Sequence, residues 1–157
     1  MVDQARLQEG PVDMLELRDQ LLVQVMGSFS PTDEPSGFMV SLPKDKSKQA
    51  QMIASRLQRP VDFSMDNLLG DESPEFVFAE FGKWTGALSV FTMGPNGYKR
   101  RDLDSSPGAV KALILDLNED GQKDILALFA QGNERISVYL GDGEGNFERR
   151  NLIDLHP

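Results

Sequence analysis

Apolar residues in this chain fall in short runs of strand length, separated by turns rich in glycine, proline and acids. Ala109 to Leu115 is rich in branched apolar residues, and Ile125 to Ala130 is a continuous apolar run. Ala87-Leu88-Ser89-Val90-Phe91 and Arg135-Ile136-Ser137-Val138-Tyr139 each mix apolar and polar positions over about five residues. Gln49 to Ala54 taken alone reads as a helical turn, but its place relative to the other runs makes it an outer strand. The pattern predicts an all-β protein.

The runs repeat. Ala87 to Phe91 matches Arg135 to Tyr139, and Asn96-Gly97-Tyr98-Lys99-Arg100-Arg101-Asp102-Leu103 matches Gly145-Asn146-Phe147-Glu148-Arg149-Arg150-Asn151-Leu152 at an offset of about 49 residues. Arg6-Leu7-Gln8 recurs as Arg56-Leu57-Gln58. Three units follow, at about 11–58, 59–106 and 107–157, each read as a four-strand meander. Residues 1–10 read as the remnant outer strand of a preceding unit. The glycine-rich stretch Gly141 to Asn146 supplies the positive φ that a hairpin demands. Ser28 to Gly37 stands where the second unit has Lys83-Trp84-Thr85-Gly86, so it is an enlarged surface hairpin.

One connection in the third unit carries chemistry. In Asp116-Leu117-Asn118-Glu119-Asp120-Gly121-Gln122-Lys123-Asp124, oxygen-bearing side chains stand at positions 1, 3, 5 and 9, with glycine at position 6. A hard cation such as Ca2+ needs several oxygens converging on one point. Asp116, Asn118, Asp120 and Asp124 offer side-chain oxygens, Gln122 offers a backbone carbonyl, and Gly121 permits the sharp bend. An EF-hand would require glutamate at position 12, where Ala127 stands. The corresponding stretch of the second unit, Asp66 to Glu75, has Leu69 at the Asn118 position and Glu72 in place of the glycine, so a weak or absent site is expected there. In the first unit Asp19 comes too early to leave room for such a loop.

A D-x-N-x-D-G-x-x-D loop running into a hydrophobic strand resembles the FG-GAP/VCBS repeat of integrin-α-like β-propellers. The resemblance covers residues 59–157 well and 1–58 loosely. It implies about three consecutive four-stranded propeller blades, calcium as cofactor, and a non-enzymatic scaffold that presents loops to a protein or carbohydrate ligand. It also implies an extracytoplasmic or secreted protein. The alternative is an accessory propeller part of a larger polysaccharide-active enzyme. A propeller ring takes four to eight blades, so three predict a piece of a longer chain, closure by self-association through the open blade faces, or an open three-blade stack.

Composition narrows the partners. A net charge of -9 disfavours nucleic acid and anionic membrane. The chain contains no cysteine, which excludes disulfides and thiolate metal sites. No 18-residue apolar run and no N-terminal signal pattern are present. The single histidine, His156, lies beside Pro157 and reads as a tail residue rather than a catalytic base. Carboxylate pairs of the glycosidase kind are not excluded by the sequence, although the acids are better read as metal ligands and solvated strand edges. Trp84, the sole tryptophan, has two readings: packing between blades, or stacking on a sugar ring. The pairs Arg100-Arg101 and Arg149-Arg150 read as solvated edges.

Overall fold

The computed structural model describes residues 10–71 and 73–154. The expected remnant strand at the N-terminus and His156 lie outside these residues. The described chain is all-β, with twelve strands: β1 (Pro11–Glu16), β2 (Gln20–Val25), β3 (Gly37–Pro43), β4 (Gln51–Leu57), β5 (Pro60–Asp66), β6 (Glu75–Glu80), β7 (Ala87–Gly94), β8 (Gly97–Asp104), β9 (Ala109–Leu115), β10 (Asp124–Phe129), β11 (Arg135–Gly141) and β12 (Phe147–Asp154). They form three four-stranded antiparallel meanders, β1 to β4, β5 to β8 and β9 to β12, and each sheet keeps chain order. These are propeller-blade-like sheets in series that do not close into a ring. Among the described residues no helix is long and apolar enough to cross a membrane.

The sheets carry the same irregularities at the same places. The register slips across Val12, Val61 and Val110 on the innermost strands, so each valine sits in a bulge 49 residues from the next. It slips again across Ile53, Leu103 and Leu152 on the outer strands. Just before each innermost strand, the carbonyls of Gly10, Arg59 and Gly108 accept the amides of Met26, Phe81 and Ala130. Arg59 adopts the left-handed conformation there (φ 47°), as Gly108 does (φ 90°). Its guanidinium reaches the Gly82 carbonyl at 3.2 Å and lies 5.9 Å from the Phe81 ring, contacts that offset the backbone strain.

Successive residues of a strand point to opposite faces, and the core follows from that. All six residues of β6 are buried, because this strand is covered on both sides. Phe76 and Phe78 pack with Leu22, Met39 and Leu57 of the first sheet. Val77 and Ala79 pack with Ile125, Ala127 and Phe129 of the third. Outer strand β12 is mostly charged or polar and is exposed almost throughout.

Polar locks tie the second and third sheets together. Asp62 on β5 pairs with Lys111 on β9 at 2.5 Å and also accepts the Ala112 amide at 3.0 Å. At the other rim the buried Asp104 accepts hydrogen bonds from Arg135 at 2.9 Å and from the Tyr139 hydroxyl at 2.9 Å, with Arg149 at 3.0 Å. Arg135 also stacks 3.7 Å from the centre of the Phe129 ring. Within the second sheet, buried Glu80 pairs with Arg100 at 3.1 Å and accepts the Gln58 amide from the preceding connection.

Candidate functional site

The β9–β10 connection is a strand-to-strand loop, as its sequence requires. It turns through Glu119 (φ 61°) and Gly121 (φ 85°). The Asp120 amide donates to Asp116 Oδ1 at 3.2 Å and to Asn118 Oδ1 at 3.1 Å, and the Gly121 amide donates to Asp116 Oδ2 at 2.9 Å. Asp120 accepts the Gln122 amide at 2.8 Å and the side-chain amide of Asn118 at 2.8 Å. Asp116 and Asn118 therefore share the Asp120 amide, and the side-chain amide of Asn118 links onward to the Asp120 carboxylate.

The other two predicted donors are placed differently. Asp124 is fully buried, and its two oxygens accept the amides of Leu117 and Gly141, each at 2.9 Å. It braces the loop against the β11–β12 hairpin rather than standing free in the loop. The Gln122 side chain turns towards Gly143, where an added Cβ would lie 2.1 Å from Gln122 Oε1. The backbone carbonyl of Gln122 is the donor left to the loop. Lys123, the loop's own cation, pairs outward with Asp66 of the second sheet at 3.0 Å. Among the described residues no three His, Cys, Asp or Glu side chains form a ready-made metal cluster. The donors in reach of a hard cation are oxygens throughout, from Asp116, Asn118, Asp120 and Asp124 and the Gln122 carbonyl, with excess negative charge.

The corresponding loop of the second sheet aligns on one hydrogen bond. Leu68 donates its amide to Glu75 at 2.8 Å, as Leu117 does to Asp124, over the same span of seven residues. This fixes Asn67 opposite Asp116, Leu69 opposite Asn118 and Asp71 opposite Asp120. Glu75 is 1% exposed and its second oxygen, Oε1, has no hydrogen-bond partner. Burial is the main cause that raises its carboxyl above the ordinary range, with the Asp71 charge adding to it. In the first sheet Leu17 donates to the Gln20 carbonyl at 2.9 Å, so a tight turn replaces the loop altogether.

A second cluster lies on the β2–β3, β6–β7 and β10–β11 connections. Trp84 is 73% exposed, so it does not pack between the sheets. Its turn is nonetheless held. Asp33 of the β2–β3 loop accepts the amides of Trp84 and Thr85 at 2.9 and 3.1 Å and the Thr85 hydroxyl at 3.1 Å. The Trp84 amide is the main cause that holds the Asp33 carboxyl below the usual carboxylate range. Gln131 of the β10–β11 loop donates to the Lys83 carbonyl at 2.7 Å, and Lys83 Nζ lies 5.8 Å from the indole centre. Phe29 on the β2–β3 loop is 88% exposed. Asp33 and Gln131 escaped sequence reasoning because each acts on another sheet's loop about fifty residues away.

Compared with family models, with curated proteins and with solved structures, the chain matches none.

Proposed function

We propose that the chain is a non-enzymatic, FG-GAP/VCBS-type recognition scaffold whose β9–β10 loop takes a Ca2+ ion and whose Trp84 edge meets a carbohydrate or protein ligand. The observation that carries the first half is that hydrogen bonds within one strand-to-strand loop draw Asp116, Asn118 and Asp120 together. Bound calcium would neutralise acids that no lysine or arginine pairs with among the described residues, and would cross-link the loop's start to its middle. Ligands that converge only in the folded chain turn ion affinity into folding free energy. Asp124 also holds the Leu117 and Gly141 amides, which ties the loop to the neighbouring hairpin.

The second half rests on Trp84. An exposed indole whose backbone is fixed from two neighbouring loops is preorganised to stack on a flat apolar face such as that of a sugar ring. The same feature favours a second reading, an accessory role beside a polysaccharide-active enzyme. An extracytoplasmic location, where calcium is plentiful, follows from the resemblance. The test is calorimetric titration of the chain with Ca2+, followed by titration with oligosaccharides monitored by Trp84 fluorescence. Binding of neither would overturn the proposal.

A further inference from the structure

A pocket of about 210 Å3 opens between the second and third sheets, bounded by β7, β8, the β5–β6 loop and the β11–β12 hairpin. Drug-sized ligands occupy roughly 300 to 1,000 Å3, so this space suits a smaller molecule. Much of its lining is apolar. Leu68 and Val90 are buried, and Phe147 packs against the same cluster. Leu69 supplies a further wall. It stands where the third sheet has Asn118, and its side chain reaches the hairpin: a Cβ added to Gly145 would lie 3.1 Å from Leu69 Cδ2. The residue that departs from the acidic loop pattern thus builds an apolar surface.

The polar part of the lining is cationic. Val90 stands opposite Arg101 and Thr92 opposite Lys99, so all four share the face of β7 and β8 turned towards the third sheet. The Arg101 guanidinium donates through Nη1 to the Gly145 carbonyl, which fixes it beside the pocket and leaves its charge uncompensated. Among the described residues neither Lys99 nor Arg101 is in an ion pair, and the Thr92 hydroxyl has no hydrogen-bond partner. The acid among the described lining residues is Glu144, which is exposed. Two cations against one acid, beside an apolar surface, select an anion of single charge with an apolar body. In a chain of net charge -9 that is a local reversal of sign.

We propose that this pocket binds a small monocarboxylic acid, with its carboxylate at Arg101, Lys99 and Thr92 and its apolar body against Leu68, Leu69, Val90 and Phe147. A guanidinium offers paired donors to a carboxylate, and the hydroxyl adds a third kind of donor. Removing the apolar body from water supplies the rest of the affinity. Inorganic phosphate would leave the apolar walls uncovered and bring more negative charge towards Glu144. Connections of an antiparallel meander alternate between its two ends, so the pocket, beside the β5–β6 and β11–β12 connections, lies at the end opposite Trp84. It uses none of Asp116, Asn118, Asp120 or Trp84, and its failure would leave the calcium and Trp84 readings standing.

The experiment is titration of the methyl-labelled chain with benzoate, followed by NMR. The expected result is a saturable shift of the Leu68, Leu69 and Val90 methyls. Benzyl alcohol, of similar shape without the charge, should bind at least tenfold more weakly, and inorganic phosphate should leave these methyls in place. Lys99 and Arg101 are exposed, so the double variant Lys99→Gln, Arg101→Gln should keep the methyl spectrum of the folded chain and lose at least tenfold in benzoate affinity. Glu144→Gln should tighten binding about twofold. No saturable shift up to about 10 mM benzoate would overturn the proposal. So would benzyl alcohol binding as well as benzoate, an unchanged affinity in the double variant, or a weakening by Glu144→Gln.

Discussion

The Asp104 carboxylate on β8 and the Arg135 guanidinium on β11 meet at 2.9 Å with side chains 4% and 2% exposed. Burial works to raise the Asp104 carboxyl, and the hydrogen bonds from Ser106 and Tyr139 and the Arg135 charge outweigh it, leaving it below the usual range. A carboxyl lowered by folding stabilises the protein above its unfolded pKa, and that contribution is lost as pH falls through the folded value. Stability should therefore fall as the solution is acidified below about pH 4. Asp104→Ala strands a buried arginine and should cost about 3 to 5 kcal/mol at pH 7. Urea unfolding of both proteins against pH measures this, and equal acid slopes would refute the role given to Asp104.

Glu75 predicts the opposite slope. Its carboxyl is raised by burial, so the folded protein holds the proton more tightly than the unfolded chain. The cost of burying its charge is absent below the unfolded pKa and grows as pH rises through the folded value. Glu75→Gln keeps an acceptor for the Leu68 amide and removes the charge. The variant should melt higher than wild type at pH 8, with the gain vanishing at pH 4. Scanning calorimetry at the two pH values decides it.

Arg56 sits in the left-handed region (φ 60°) within β4. That conformation costs a non-glycine residue about 1 to 2 kcal/mol, part of which glycine gives back through unfolded-state entropy. Arg56→Gly should stabilise the chain by roughly 0.5 kcal/mol. A loss of stability would mean that contacts of its side chain outweigh the relief of backbone strain.

Asp120→Ala removes the acid in the middle of the candidate calcium loop. With wild type, calcium at a hundredfold excess over its dissociation constant should add about 2.7 kcal/mol to stability. The variant should show most of that increment lost while melting like wild type in chelator. A wild type that melts identically in chelator and in calcium would remove the loop from consideration as a metal site.

Trp84→Ala should change stability by less than about 0.5 kcal/mol, because the indole is largely in water. Under the proposed function its effect belongs to recognition. Oligosaccharide binding, where titration finds it, should weaken at least tenfold in the variant. Unchanged binding would move the ligand site elsewhere.

The strands, their grouping in fours and the loop between β9 and β10 were legible because alternation and repetition are local properties of the sequence. What was hidden depends on neighbours far along the chain. Asp124 has the spacing of a ligand, and its bracing of the Leu117 and Gly141 amides, the second from another hairpin, is not visible in that spacing. Of the two places the sequence leaves open to Trp84, the structure sets the indole outward and not between the sheets. Gly82, where any Cβ would lie 1.5 Å from the Thr85 carbonyl oxygen, closes the turn so tightly that the indole is directed outward. The Asp104 cluster could not be foreseen, since Arg135 and Tyr139 read as ordinary members of an alternating strand.

The three sheets follow one another in space in the order of the chain, and among the described residues the middle one packs against both of the others. Cooperativity in such an array is passed from neighbour to neighbour. Amides of β6 should exchange with deuterium last of all, and opening should begin in the flanking sheets and move inward. A protease or a mechanical pull would then take this protein apart one module at a time.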